Sequence, residues 1–145
     1  MLRGGGKSFG PSARDFATDL PKKMYDLAWR TALSWRYRRG ELIVCEDGME
    51  IEYNEPLFLK QIYERNQWGK EHGRTLVVTG ERGESENLWG AMESAKIGKL
   101  LTWEEVDVKD LLEMGRVVIE KRALDQILED HQSDLTSKIR SAVNM

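Results

Sequence analysis

One cysteine, two histidines and no long apolar run mark what this chain leaves out. Cys45 has no second thiol with which to close an internal disulfide. His72 and His131 lie far from it in sequence, so no metal-ligand spacing arises. A lone thiol favours a reducing compartment. Nothing approaches the roughly 18 consecutive apolar residues that would span a bilayer. The first twenty residues also lack the apolar stretch of a secretory signal. Disulfide scaffolds, metal centres and membrane-spanning helices are thereby set aside as expectations.

What remains is an ordinary balance of 40% hydrophobic and 32% charged residues over 145 positions, enough for one core and not two. The net charge of −3 conceals a division along the chain. Residues 1 to 40 hold nine Lys or Arg against three Asp, a net +6, which leaves −9 on the other 105 residues. Such asymmetry points to a basic contact surface attached to an acidic, solvated body. Polyanion binding belongs to the first forty residues.

Three stretches follow. Residues 1–20 contain Gly4, Gly5, Gly6, Gly10 and Pro11 with few large apolar side chains, and read as an extended arm. Residues 21–132 read as a single α/β domain, and 133–145 as a polar, loosely held tail. Pro21 suits a first helical turn, because its missing N–H would lack a helical partner anyway. From Lys22 to about Arg38 the positions Met24, Leu27, Ala28, Thr31 and Trp35 recur at helical steps, and Gly40 supplies the stop.

Beyond that helix, short runs at Leu42 to Cys45, Leu76 to Thr79, Lys99 to Thr102 and Val117 to Ile119 read as strands buried on both faces. They alternate with helices at about 55–71, 86–95, 108–113 and 122–130. This alternation predicts α/β layers: a mostly parallel sheet with helices on both faces, behind the basic glycine-rich arm. Asn54, Ser85 and Asp107 stand where N-caps are wanted, and Gly73, Gly98 and Gly115 where helices should end.

Enzymatic motifs fail on their context. Gly6-Lys7-Ser8 looks like the end of a phosphate-binding loop, but the glycine required five positions earlier is Met1, and no strand leads into it. Gly80 to Gly83 lacks the dinucleotide fingerprint and carries Glu81 and Glu84 where a pyrophosphate needs bare N–H groups. His72, His131 and the Glu104-Glu105 pair read as solvated surface, with no nucleophile, base and orienter to assemble. No catalytic residue, cofactor or small-molecule substrate is expected. A small nucleotide-dependent α/β enzyme stands as the alternative.

The basic segment is harder to dismiss as a solvated face. Its cations interleave with glycines and with Phe9, Phe16, Tyr25, Trp29, Trp35 and Tyr37. Cations neutralise phosphates, planar rings stack on exposed bases, and glycines let backbone N–H groups approach the sugar-phosphate chain. The candidate RNA-binding residues are Arg3, Gly4, Gly5, Gly6, Lys7, Arg14, Lys22, Lys23, Arg30, Arg36, Arg38 and Arg39. The aromatics at helical spacing serve equally well as core, Trp29 and Trp35 first among them.

Several blocks resemble one family. The run Arg3 to Pro11, then Arg14-Asp15-Phe16, Leu20 to Lys23 and Leu27 to Ser34 is similar to the passage of the large-subunit ribosomal protein four family that leads from an RNA-threading loop into a helix. Gly40 to Val44, Thr75 to Thr79, Glu86 to Leu88, Val106 to Leu112 and Val117 to Leu124 continue the likeness in order, over about residues 3 to 130. Tyr37 to Gly40 and Gln67 to Gly69 most resemble its fungal mitochondrial branch.

The resemblance implies a structural constituent of the large ribosomal subunit. Its partners would be large-subunit ribosomal RNA and neighbouring ribosomal proteins, in the mitochondrial ribosome or alternatively the cytoplasmic one. The family's first strand, early helices and most of its tunnel-lining loop would fall before Arg3. An RNA-binding protein acting outside the ribosome is the remaining alternative.

Overall fold

The computed structural model describes residues 3–69, 73–136 and 139. The arm, residues 3–20, contains neither helix nor strand and is exposed along its length. Helix α1 (Lys22–Arg38) follows Pro21 and ends at Gly40, whose φ of +67° is the left-handed conformation glycine adopts without strain. Then come β1 (Leu42–Cys45), α2 (Pro56–Arg65), β2 (Thr75–Thr79), α3 (Glu86–Ala95), β3 (Gly98–Thr102), α4 (Val108–Glu113), β4 (Arg116–Glu120) and α5 (Lys121–Asp130).

Among the described residues the strands form one four-stranded sheet of order β1-β4-β2-β3, parallel at every pairing. The central strands β2 and β4 are buried almost throughout, as expected of strands covered on both faces. Their side chains alternate between two cores. Leu76, Val78, Val117 and Ile119 pack with Trp29 and Leu33 of α1, Leu111 of α4, and Ala123 and Ile127 of α5. Val77 and Val118 pack with Leu59 and Tyr63 of α2 and Leu88, Ala91 and Met92 of α3. Burial of such side chains contributes about 1.5–3 kcal/mol each, so β2 and β4 are the centre of stability.

Several local expectations change. Helix α2 stops at Arg65, short of the expected 71, and Gln67 turns the chain with a φ of +58°; residues 70–72 lie outside the described residues. Asp107 does cap α4, in a reciprocal box with Asp110. Asn54 and Ser85 do not cap with their side chains. Glu55 holds the N-cap position of α2, and the α3 N–H groups of Asn87 and Leu88 donate to Glu50. Asn54 lies instead against Gly90, where an added Cβ would fall 2.4 Å from its Nδ2. Helix α3 is terminated by Lys96 in the left-handed region, while Gly98 opens β3.

The tail is also less free than its polarity suggests. Ser133 donates its backbone N–H to Asp26 at 3.0 Å, and Asp134 pairs with Arg30. The segment just after α5 is thus bound to α1. Residues 137, 138 and 140–145 lie outside the described residues.

Candidate nucleic-acid interface

Helix α1 carries two kinds of cation. Arg36 is buried, and its guanidinium is consumed internally. Nε donates to the Leu111 carbonyl at 2.7 Å, Nη1 to the Gly115 carbonyl at 3.1 Å, and Nη2 to the carbonyls of Leu112 and Met114. Glu41 balances the charge at 2.5 Å. The last carbonyls of α4 have no helical partner of their own, so Arg36 caps that helix. This corrects its assignment as an RNA contact, since no donor remains to reach a phosphate. Arg30 is half-buried, with both Nη atoms on the Asp134 carboxylate. That hydrogen-bonded pairing raises the Arg30 pKa, lowers that of Asp134, and takes Arg30 out of the free set as well.

The other candidates are exposed. Arg3, Gly4, Gly5, Gly6, Lys7 and Arg14 lie on the arm, with Gly4 and Gly5 at φ of +115° and +69°. The Arg14 guanidinium covers the Phe16 ring at 4.6 Å. Lys22 and Lys23 occupy the first turn of α1, which contains no acidic residue and has no side-chain cap at Pro21. Two cations beside the positive end of a helix dipole repel it, and an anion placed there relieves both costs. Arg38 and Arg39 are exposed at the other end, about 24 Å away at 1.5 Å per residue. Arg39 lies over the Trp35 ring at 4.6 Å and shares Glu41 at 3.0 Å. Trp35 is half-exposed and Tyr37 exposed, whereas Trp29 belongs to the core.

The carboxyl edge of the sheet, where α/β proteins commonly take nucleotides, has a different character. Chain leaving β2 goes to α3 on one face, and β4 runs into α5 on the other, so a crevice opens between their ends. Acidic side chains of the protein fill it. Glu120, fully buried, accepts the Gly80 N–H at 2.6 Å and the Met49 N–H at 2.8 Å. Asp47 accepts from Arg122 N at the start of α5 (2.7 Å), and Glu50 holds the start of α3. The N–H groups that would cradle a phosphate are already bonded to carboxylates. Sequence reasoning missed this arrangement, although the acidic run Glu46-Asp47 with Glu50 was visible in it.

His131 also departs from its surface reading. Its Nδ1 lies 2.9 Å from the buried Asp26, and its ring stacks on Trp29 at 4.8 Å. Burial alone would raise the Asp26 pKa, but hydrogen bonds from Ser133 and His131 outweigh it and lower the value. The cluster fastens the end of α5 to α1. Glu104 and Glu105 are exposed, as expected. Among the described residues no group of His, Cys, Asp or Glu has the arrangement of a metal site.

Residues 1–130 match the ribosomal protein L4/L1 family. The chain is 48% identical to the large ribosomal subunit protein uL4m of Neurospora crassa, over 96% of this chain and 49% of that protein. It is 34% identical to the large ribosomal subunit protein uL4 of Methylobacterium radiotolerans and 31% identical to that of Nostoc punctiforme. Each of these matches covers 89% of this chain and 60% of the relative. The chain therefore spans about half to three fifths of the length of the curated relatives it matches.

Proposed function

The chain belongs to the ribosomal protein L4/L1 family, and from that membership we propose that it is a structural constituent of the large ribosomal subunit that binds and organises large-subunit ribosomal RNA in the mitochondrion. The observation that carries the RNA reading is the continuity of the exposed basic arm with the uncapped, acid-free first turn of α1. Arg3, Lys7, Arg14, Lys22 and Lys23 line this path, and Arg38 and Arg39 extend it at the far end of the helix. The cations meet phosphates, and Gly4, Gly5 and Gly6 let the backbone lie close to the sugar-phosphate chain. The acidic body faces away from RNA, toward solvent and neighbouring ribosomal proteins.

The mitochondrial placement rests on the similarity to the Neurospora protein. Sedimentation of tagged protein tests the assembly directly. It should travel with the mitochondrial large subunit through a high-salt wash. Recovery in free fractions, or with cytoplasmic ribosomes, would overturn the assembly or the compartment respectively.

A further inference from the structure

Strand β3 ends the sheet, and among the described residues no strand lies beyond it. The Trp103 N–H donates to the Thr79 carbonyl at 3.1 Å. In a parallel ladder residues two apart point the same way, so Lys99 and Leu101 face β2 while Leu100 turns its N–H and C=O outward. The Thr102 N–H points outward too, its carbonyl being taken by the Val106 N–H at 3.1 Å. Proteins usually blunt such an edge with proline, a bulge or a free lysine. The run Gly98-Lys99-Leu100-Leu101-Thr102 has no proline, pairs without a bulge, and binds its one ammonium to Asp110.

Beside this edge α3 presents a stripe, Glu86, Trp89, Gly90 and Glu93, at three- and four-residue steps. The surface is open on both sides of Trp89. One opening is lined by the stripe with Arg82, and the other reaches Gly98 and Leu100 of β3. The cations here are already engaged, Arg82 over the Trp89 ring at 4.7 Å and Lys99 on Asp110. Glu86 and Glu93 are exposed and form no ion pair among the described residues, and the exposed Glu104 and Glu105 follow the end of the strand.

Open main-chain groups call for an extended backbone, a partly buried tryptophan supplies an anchor, and unpaired carboxylates attract cations and repel phosphates. We propose that the β3 edge and the α3 stripe beside it form a docking site for a basic peptide segment of another protein, added in extended form as a fifth strand. This goes beyond RNA anchoring and does not depend on it.

Titration of the intact chain with a capped alternating Lys-Val octapeptide tests the proposal. The expected result is saturable binding, weakened about tenfold or more by Glu86→Lys or Glu93→Lys, with slowed hydrogen exchange at the Leu100 and Thr102 amides. Both glutamates are exposed, so the variants alone should keep the wild-type circular dichroism and melting temperature. Glu129→Lys, exposed on α5, should leave binding unchanged, and the same peptide N-methylated at every residue should not bind. Absence of binding, or binding indifferent to Glu86→Lys and Glu93→Lys with unchanged amide exchange, would overturn the proposal. Equal binding of a Glu-Val octapeptide would overturn the basic character of the partner. Protection of the same amides by dimerisation without peptide would make a second copy the occupant, and protection by ribosomal RNA would assign the edge to RNA; either would overturn the proposal.

Discussion

Arg36 Nε donates to the Leu111 carbonyl at 2.7 Å, and this bond ties the cation-bearing helix to the end of α4. Four residues of chain separate Glu41 from Arg36, yet both belong to the same buried charge arrangement. Arg36→Ala should therefore lower folding stability by about 3 kcal/mol, because it leaves buried carbonyls and part of Glu41 unpaired. Its RNA affinity, measured where the variant is still folded, should equal that of the unmutated protein. Arg38→Ala should do the reverse: unchanged denaturation midpoint, weaker RNA binding, and a salt slope shallower by about 0.7–0.9.

Glu120 connects β4 to the loops after β1 and β2 through the Met49 and Gly80 N–H groups. Glu120→Gln keeps the shape but turns an amide N–H toward one of those donors. A loss of about 1–3 kcal/mol in chemical denaturation is expected. Calorimetry of the unmutated protein with ATP and with NAD should show no saturable heat, because carboxylates already occupy the crevice. Saturable binding that depends on Lys7 would revive the enzymatic alternative.

Acid should unfold the protein through particular carboxylates. Burial raises the pKa of Asp26 and Asp110, but hydrogen bonds from Ser133 and His131, and from Lys99, outweigh it and hold both below the ordinary Asp value of 3.8. The hydrogen bonds of Arg30 likewise lower Asp134. A depressed folded-state pKa gives stability that is fully present above the unfolded value and lost as pH falls through the folded one. These groups should thus contribute no pH dependence above about pH 5, and a progressive loss of stability below about pH 4. An Asp26→Asn variant should show a flatter acid limb in urea melts. An acid limb identical to that of the unmutated protein would contradict the assignment.

Gly98 stands where β3 meets β2, and an added Cβ would sit 2.4 Å from the Thr75 carbonyl oxygen. The obstacle is backbone within the sheet, which cannot step aside. Gly98→Ala should destabilise by about 1–3 kcal/mol, as overpacking does. Gly6→Ala, where nothing lies within 4 Å, should leave the melting temperature unchanged.

Much of the layer architecture is legible in the sequence because buried parallel strands read as short Val, Leu and Ile runs, as at Leu76 to Thr79. Helix α1 shows where such reading ends. Its periodic apolar set, Met24 to Trp35, turns out to be the exposed face, while the sheet-facing side includes Asp26 and Arg36. Two charged residues hide that side from a hydrophobicity pattern, and their partners, Ser133 and His131 for one and the α4 carbonyls for the other, are distant in sequence. The same distance conceals the loss of Arg30 and Arg36 from the candidate contacts. The exposed cations of the arm needed no tertiary knowledge, since glycine-rich sequence with few apolar residues has no core to join.

Salt dependence of RNA binding tests the central claim most directly. With the intact chain and its large-subunit RNA, about five phosphate contacts from the arm and α1 predict that log affinity falls with log salt at a slope of roughly −3.5 to −4.5. Replacing Arg3, Lys7, Arg14, Lys22 and Lys23 together by Ala should remove most of that slope, leaving no more than about −1.4 to −1.8 from Arg38 and Arg39. A slope near zero for the unmutated chain, or one undiminished by the fivefold substitution, would contradict RNA anchoring through this end of the protein.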